Sequence, residues 1–145
     1  MSYKRHESLG ALVNVVAFRV RREFDQRAKP YGLDNSVWPV LVCLWEQDGM
    51  PQTRIADYLH IPGYAISRGV DKLVKAGFVR REVDPANRRV RRVFLTPAGY
   101  ALRGELEPLA QAGNAASFSL LSEDEQQVLR GLLQKLCPEF VGDSR

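Results

Sequence analysis

Residues 62–99 read PGYAISRGVDKLVKAGFVRREVDPANRRVRRVFLTPAG, and the reading of this stretch decides the fold. Ile66, Val70, Leu73 and Val74 fall at i, i+4, i+7 and i+8, which makes one buried stripe on a short amphipathic helix. Gly77 supplies the helix stop, since glycine enters the left-handed C-cap conformation without steric cost. Two β-rich runs follow at 78–83 and 90–95, joined by Asp-Pro-Ala-Asn-Arg-Arg. Thr96 and Pro97 then place an N-cap hydroxyl before a proline at the first helical position, so another helix begins there. The stretch predicts a helix, a hairpin with a cationic tip and a second helix, a module suited to touching nucleic acid.

Charge gathers on the same region. Residues 50–103 hold 11 Lys+Arg against 4 Asp+Glu, whereas the rest of the chain holds 10 against 13. Such asymmetry suits one subregion that faces a polyanion, the alternative being a solvated basic surface. At 145 residues the chain fits one domain able to bury roughly two-thirds of its unfolded surface. The longest apolar run, residues 9–20, is interrupted by Asn14 and Arg19 and is too short to span a bilayer. No apolar h-region follows the first residues, so the expectation is a cytoplasmic chain without a secretory signal or membrane partner.

Working outward from the module, Ser8 is the expected N-cap of a first helix reaching about residue 27. Leu9, Leu12, Val13, Val16, Val20 and Phe24 form its main stripe, and Ala11, Val15 and Phe18 widen it. A helix apolar on two sides packs on two sides, here on its own domain and on a second copy. A second helix is expected at 35–47, with Ser36 as N-cap, Pro39 in its first turn and Trp38 and Trp45 beside the core stripe. A third, at 51–59, points Ile55, Ala56 and Leu59 inward. The tight turn between it and the next helix suggests helix-turn-helix geometry. Beyond Thr96 a long fifth helix runs to about residue 117, with Pro108 inside it. Ser122 and Glu125 form a capping box for a last helix bearing Val128, Leu129, Leu132, Leu133 and Leu136, which Pro138 stops.

Five pieces of this chain together resemble the MarR family of bacterial winged helix-turn-helix regulators. They are Ile55-Ala-Asp-Tyr-Leu59, Ile66-Ser-Arg-Gly-Val-Asp-Lys-Leu73, Lys75-Ala-Gly-Phe-Val-Arg80, Asp84-Pro-Ala-Asn-Arg-Arg89 and Leu95-Thr-Pro-Ala-Gly99. The resemblance implies a mainly α fold with a small β-hairpin wing. It places a dimerisation arm at 1–34, a winged helix-turn-helix at 35–99 and dimerising helices at 100–145. It also implies a homodimer on a pseudo-palindromic double-stranded operator, acting as a repressor whose affinity a small aromatic ligand or an oxidant changes. A family-like effector crevice would lie between the first, second and fifth helices, with Phe18, Arg19, Trp38 and Tyr100 as candidate lining. Two positions depart from the family pattern. Asn87 stands where the wing usually carries an aspartate that fixes the arginine two residues on, and Pro51 stands where the third helix usually begins with Thr or Ser.

The residues themselves divide the contacts. On the fourth helix the outward side carries Tyr64, Ala65, Ser67, Arg68, Asp71, Lys72 and Lys75. The N-terminal residues of a recognition helix lie nearest the base edges, which selects Tyr64, Ser67 and Arg68, with Ala65 allowing close approach. Arg68 has the fork to hold guanine O6 and N7, and Lys72 and Lys75 reach phosphate. Six arginines crowd residues 80–92, and Asp84-Pro85 begins a type I turn that sets Arg88 and Arg89 at or near the tip. Arginine at a protruding tip suits a narrow minor groove, with Arg91 behind and Asn87 capping the turn. The alternative is an edge hairpin using charge against aggregation.

Other chemistries find little support in the residues. Two histidines and two distant cysteines give no metal-ligand spacing, and no cofactor is expected. No Gly-rich phosphate loop or matched nucleophile and base occurs, so the chain is not read as an enzyme. Cys43 reads as a small core residue and Cys137 as a candidate for oxidation. The competing function is a non-sequence-specific nucleic-acid or partner-protein adaptor using the same basic face.

Overall fold

The computed structural model describes residues 2–142; Met1 and residues 143–145, the outer ends of the two expected arms, lie outside the described residues. Helix α1 (Leu9–Ala28) begins where the Ser8 hydroxyl accepts the Ala11 N–H at 3.4 Å, the expected cap. The next cap is not Ser36. Asp34 Oδ1 accepts both the N–H and the hydroxyl of Ser36, and this local turn delays helix α2 (Trp38–Glu46), leaving Pro39 in its first turn.

Helix α3 (Gln52–Leu59) starts one residue later than the sequence suggests. Met50 and Pro51 form a short strand, β1 (Met50–Pro51), opposite Val93 and Arg92. A proline is tolerated at a sheet edge because it has no N–H to leave unpaired. Helix α4 (Gly63–Lys75) ends as expected at Gly77, which adopts φ +81°; Phe78 N–H bonds the Leu73 carbonyl and Gly77 N–H the Val74 carbonyl, a Schellman closure.

Strands β2 (Val79–Asp84) and β3 (Asn87–Leu95) complete an antiparallel sheet of order β1-β3-β2. Their connection is shorter than the expected six-residue tip. Asp84 pairs with Asn87, so Pro85 and Ala86 alone turn the chain, while Val83 already pairs with Arg91. Arg88, Arg89 and Val90 are thereby surplus on β3, an irregularity that bends the strand and re-aims its side chains. Helix α5 (Pro97–Ser117) opens at the Thr96 cap, and α6 (Glu123–Leu136) at the Ser122–Glu125 capping box. Pro138 ends α6 and also begins a further short helix, α7 (Pro138–Gly142), so the described residues hold seven α-helices instead of six.

One apolar cluster joins these elements. Phe24 and Ala28 of α1, Leu41 and Leu44 of α2, Ile55, Ile66, Val70, Leu73, Val93, and Leu102 and Leu106 of α5 all belong to it. Trp38 packs at its edge, 5.2 Å from the Phe24 ring and 5.8 Å from Trp45. Val74 does not complete the α4 stripe and is 39% exposed. The helix turns toward Gly69 instead, which lies so close to the loop before α2 that an added Cβ would sit 2.4 Å from the Ser36 carbonyl oxygen. The arms contrast with this. Leu9, Leu12, Val13, Val16 and Phe18 of α1 are exposed, and α6 buries none of its residues.

Candidate nucleic-acid interface

The expected contact residues divide into free and engaged groups. On α4, Tyr64 is 72% exposed, and Arg68 and Lys75 stand exposed with no charge partner among the described residues. Ala65 is half-buried, and Ser67 is half-buried with its carbonyl oxygen accepting from Arg81 Nη2 at 3.3 Å. Lys72 is not a free cation. Its Nζ lies 2.5 Å from Asp34 Oδ2 and 3.3 Å from Ser36 Oγ, which pins α4 to the turn before α2. These donors hold the Asp34 carboxyl below the usual carboxylate range, against the burial that would raise it.

The six wing arginines split evenly. Arg88, Arg89 and Arg91 are exposed, and none of their guanidinium groups has a hydrogen bond or ion pair among the described residues. The other three are held within the fold. Arg80 binds Glu82 Oε1 at 2.8 Å and lies 5.0 Å above the Phe94 ring. Arg81 reaches Gln52, Ser67 and Asp71. Arg92 donates to Asp84 Oδ2 at 2.8 Å and to the Gly49 carbonyl at 2.9 Å. Of the six arginines that crowd residues 80–92, three are therefore left free to meet a ligand. The acidic partners Asp71, Glu82 and Asp84 all fall within the counted stretch 50–103, but a count along the sequence does not say which arginine each of them engages.

The Asn87 departure also resolves in geometry. Asn87 Oδ1 accepts the Arg89 N–H at 3.1 Å, so it caps the turn and makes no contact with the Arg89 guanidinium. Asp84 fixes Arg92 instead, and accepts the Ala86 N–H at 2.8 Å. That backbone donor and the Arg92 guanidinium hold the Asp84 carboxyl low. The result is a wing tip braced from behind, with Arg88 and Arg89 left free beside it.

A crevice of about 480 Å³ lies between α1, α2, α4 and α5, lined by Val20, Arg21, Phe24, Asn35, Ser36, Trp38 and Asn114 among others, and by Ala65 and Ile66 of α4. Of the expected effector residues only Trp38 lines it. Phe18 faces a shallow depression with Arg5, Asn14 and Val15, and Arg19 is exposed, because α1 turns Val20, Arg21 and Phe24 toward the crevice. Tyr100 is elsewhere, its hydroxyl donating to Asp48 Oδ2 at 2.8 Å. Cys43 is buried and its thiol is pushed up to about 11 by burial, with the Glu46 charge adding, whereas Cys137 is exposed. Among the described residues no helix is long and apolar enough to cross a membrane, and no cluster of His, Cys, Asp and Glu could hold a metal.

Comparison with known proteins gives a consistent set of relatives. The sequence profile described as "MarR family" matches residues 33–90. YkoM of Bacillus subtilis, an uncharacterized HTH-type transcriptional regulator, is 31% identical over 74% of this chain and 70% of its own length. YwaE of the same organism is 29% identical over 73% of this chain, and the match spans 62% of YwaE. Rv2887 of Mycobacterium tuberculosis, an HTH-type transcriptional repressor, is 27% identical over 88% of this chain and 92% of its own. Among solved structures, a MarR transcriptional regulator from Methanosarcina mazei superposes with TM-score 0.81 at 26% identity, covering 92% of this chain and 96% of that one. BpsR of Bordetella bronchiseptica, whose DNA binding is regulated by 6-hydroxynicotinic acid, superposes with TM-score 0.83 at 26% identity, over 94% and 98%.

Proposed function

Since this chain belongs to the MarR family of transcriptional regulators, we propose that it is a repressor that binds a pseudo-palindromic operator as a homodimer and releases it when a small aromatic molecule fills the crevice. What carries the reading is the sorting of the cations. Arg68 and Lys75 on α4 and Arg88, Arg89 and Arg91 on the wing stay exposed and unpaired among the described residues, while Lys72, Arg80, Arg81 and Arg92 are engaged within the fold. The free set lies on the two elements that a winged helix-turn-helix offers to the major and minor grooves. Tyr64, Ser67 and Arg68 read bases, Lys75 and Arg91 hold phosphate, and Arg88 and Arg89 enter the minor groove. The uncovered stripes of α1 and α6 take the second copy. The repressor sense follows the mycobacterial relative, and the aromatic effector follows BpsR together with the Trp38 and Phe24 rings and the Arg21 charge in this crevice.

A gel-shift with the DNA upstream of this chain's own coding sequence, against scrambled competitor, tests the reading. Preferential binding is expected, with Arg68→Ala and Arg89→Ala each weakening it about tenfold or more. Equal competition by scrambled DNA would assign the basic face to a non-specific adaptor, and no binding at low salt would remove both nucleic-acid readings. Adding 6-hydroxynicotinic acid as a probe aromatic acid should release the DNA and alter Trp38 fluorescence.

A further inference from the structure

Building on α4 and the wing as the DNA-contacting pair, we propose that Arg81 is a positioning residue that fixes the wing relative to the recognition helix and makes no phosphate contact of its own. Three elements meet at this side chain. From β2, its Nε donates to Gln52 Oε1 of α3 at 3.1 Å. Its Nη2 donates to the Ser67 carbonyl oxygen at 3.3 Å and lies 2.6 Å from Asp71 Oδ1, both on α4. A planar guanidinium suits the task, since its donors leave in fixed directions and hold acceptors in a set geometry. The side chain is 28% exposed, well withdrawn from solvent for an arginine amid a basic hairpin.

The placement of the tie gives it consequence. Arg81 stands midway along the edge strand β2, opposite Val93 of the central strand β3, so holding it holds the hairpin. The Ser67 carbonyl belongs to the turn of α4 that carries Ser67 and Arg68, the proposed base readers. A helix in the major groove and a hairpin tip in the adjacent minor groove address points whose separation the duplex dictates. A clamp across that separation converts two contacts into one fitted surface. Asp71 sharpens the case. Its carboxylate is 62% exposed on a helix proposed to face phosphates, where negative charge opposes binding, and holding Arg81 is the compensating role.

The test uses the full chain and a duplex selected by the unmodified protein from a random-sequence pool, with a scrambled duplex as control. Arg81→Gln and Asp71→Ala are each expected to weaken binding to the selected duplex about fivefold or more. On the scrambled duplex Arg81→Gln should leave binding unchanged and Asp71→Ala should tighten it. The slope of log K against log[salt] should change by less than about half a unit in either variant, because no phosphate contact is lost. The double variant should be no weaker than the weaker single one, since both cut the same tie. Equal loss on both duplexes with the slope reduced by about one per copy would make Arg81 a phosphate contact and overturn the proposal. Tightening of both duplexes by Asp71→Ala would overturn it as well, because simple removal of repulsion does that. Asp71 is exposed, so its variant decides the matter even if Arg81→Gln fails to fold. Enrichment of a sequence followed by unaltered variants sinks the clamp alone, whereas a selection that enriches nothing sinks the sequence-specific reading beneath it.

Discussion

Helices α4 and α6 carry similar amphipathic stripes and finish in opposite states. Ile66, Val70 and Leu73 of α4 are buried in the common cluster, whereas Val128, Leu132, Leu133 and Leu136 of α6 stand exposed. Periodicity says that a face will be covered and leaves open what covers it. In the middle of the molecule the chain covers its own stripes, and the salt links of Asp34 with Lys72 and Asp71 with Arg81 brace the result. At the ends the N-terminal half of the α1 stripe and the α6 stripe are left exposed among the described residues, and the proposed second copy covers them.

The largest expected effect comes from breaking that division at the arm. Leu132→Glu with Leu136→Glu should convert the protein to a monomer on size-exclusion chromatography. Binding to a two-half-site duplex should fall by about a hundredfold or more, since only one half-site then contributes. The far-UV spectrum should be unchanged, because α6 contributes no buried residue to the core. A double variant that still dimerises and binds normally would show that another surface joins the copies.

A pair of glycines sharpens the same comparison at smaller scale. A Cβ at Gly69 on α4 would meet the Ser36 carbonyl at 2.4 Å, and backbone cannot swing aside as a side chain does. Gly69→Ala should therefore cost about 1–3 kcal/mol in denaturant unfolding and lift α4 from its seat. Gly131 on α6 has nothing within 4 Å of the same position. Gly131→Ala should stabilise by up to about 1 kcal/mol through helix propensity alone. Opposite signs are expected from one substitution type, and equal signs would contradict the view of α4 as seated and α6 as uncovered.

Legibility in the sequence follows the range of the interaction concerned. The caps at Ser8, Thr96 and Ser122 and the stop at Gly77 are readable because each is settled within about one helical turn, whereas the α4 stripe holds at Ile66, Val70 and Leu73 and fails at Val74, which packing elsewhere leaves exposed. Ser36 misled because Asp34, two residues away, competes for it. Strand β1 has two residues and exists through β3, some forty positions on, so no local pattern announces it. The same range limit hid the pairing of Lys72 with Asp34 and of Arg92 with Asp84, and with it the distinction between free and engaged cations. Of the four residues named for an effector crevice only Trp38 lines the one between α1, α2, α4 and α5: rotation of α1 by a fraction of a turn exchanges Phe18 and Arg19 for Arg21 and Phe24, and Tyr100 is held by Asp48.

The smallest expected effect compares one carboxylate in each region. Asp84 at the wing accepts the Ala86 N–H and then the Arg92 guanidinium, and Glu125 at the start of α6 accepts the Ser122 N–H; both carboxyls are held below their ordinary range. A depressed folded-state pKa gives stability that is fully present above the unfolded value and is lost as pH falls through the folded one. Both devices are therefore intact at neutral pH and fail only in acid. They differ in what the failure releases. Protonating Asp84 frees Arg92 and unbraces the turn beside Arg88 and Arg89, whereas protonating Glu125 frays one turn of an arm helix. NMR titration should show the Arg92 Nε–H resonance moving with the Asp84 carboxyl, and Asp84→Asn should flatten that titration while leaving that of Glu125 in place. An Arg92 signal indifferent to acid would mean that the Gly49 carbonyl, 2.9 Å from Nη1, holds the wing tip by itself.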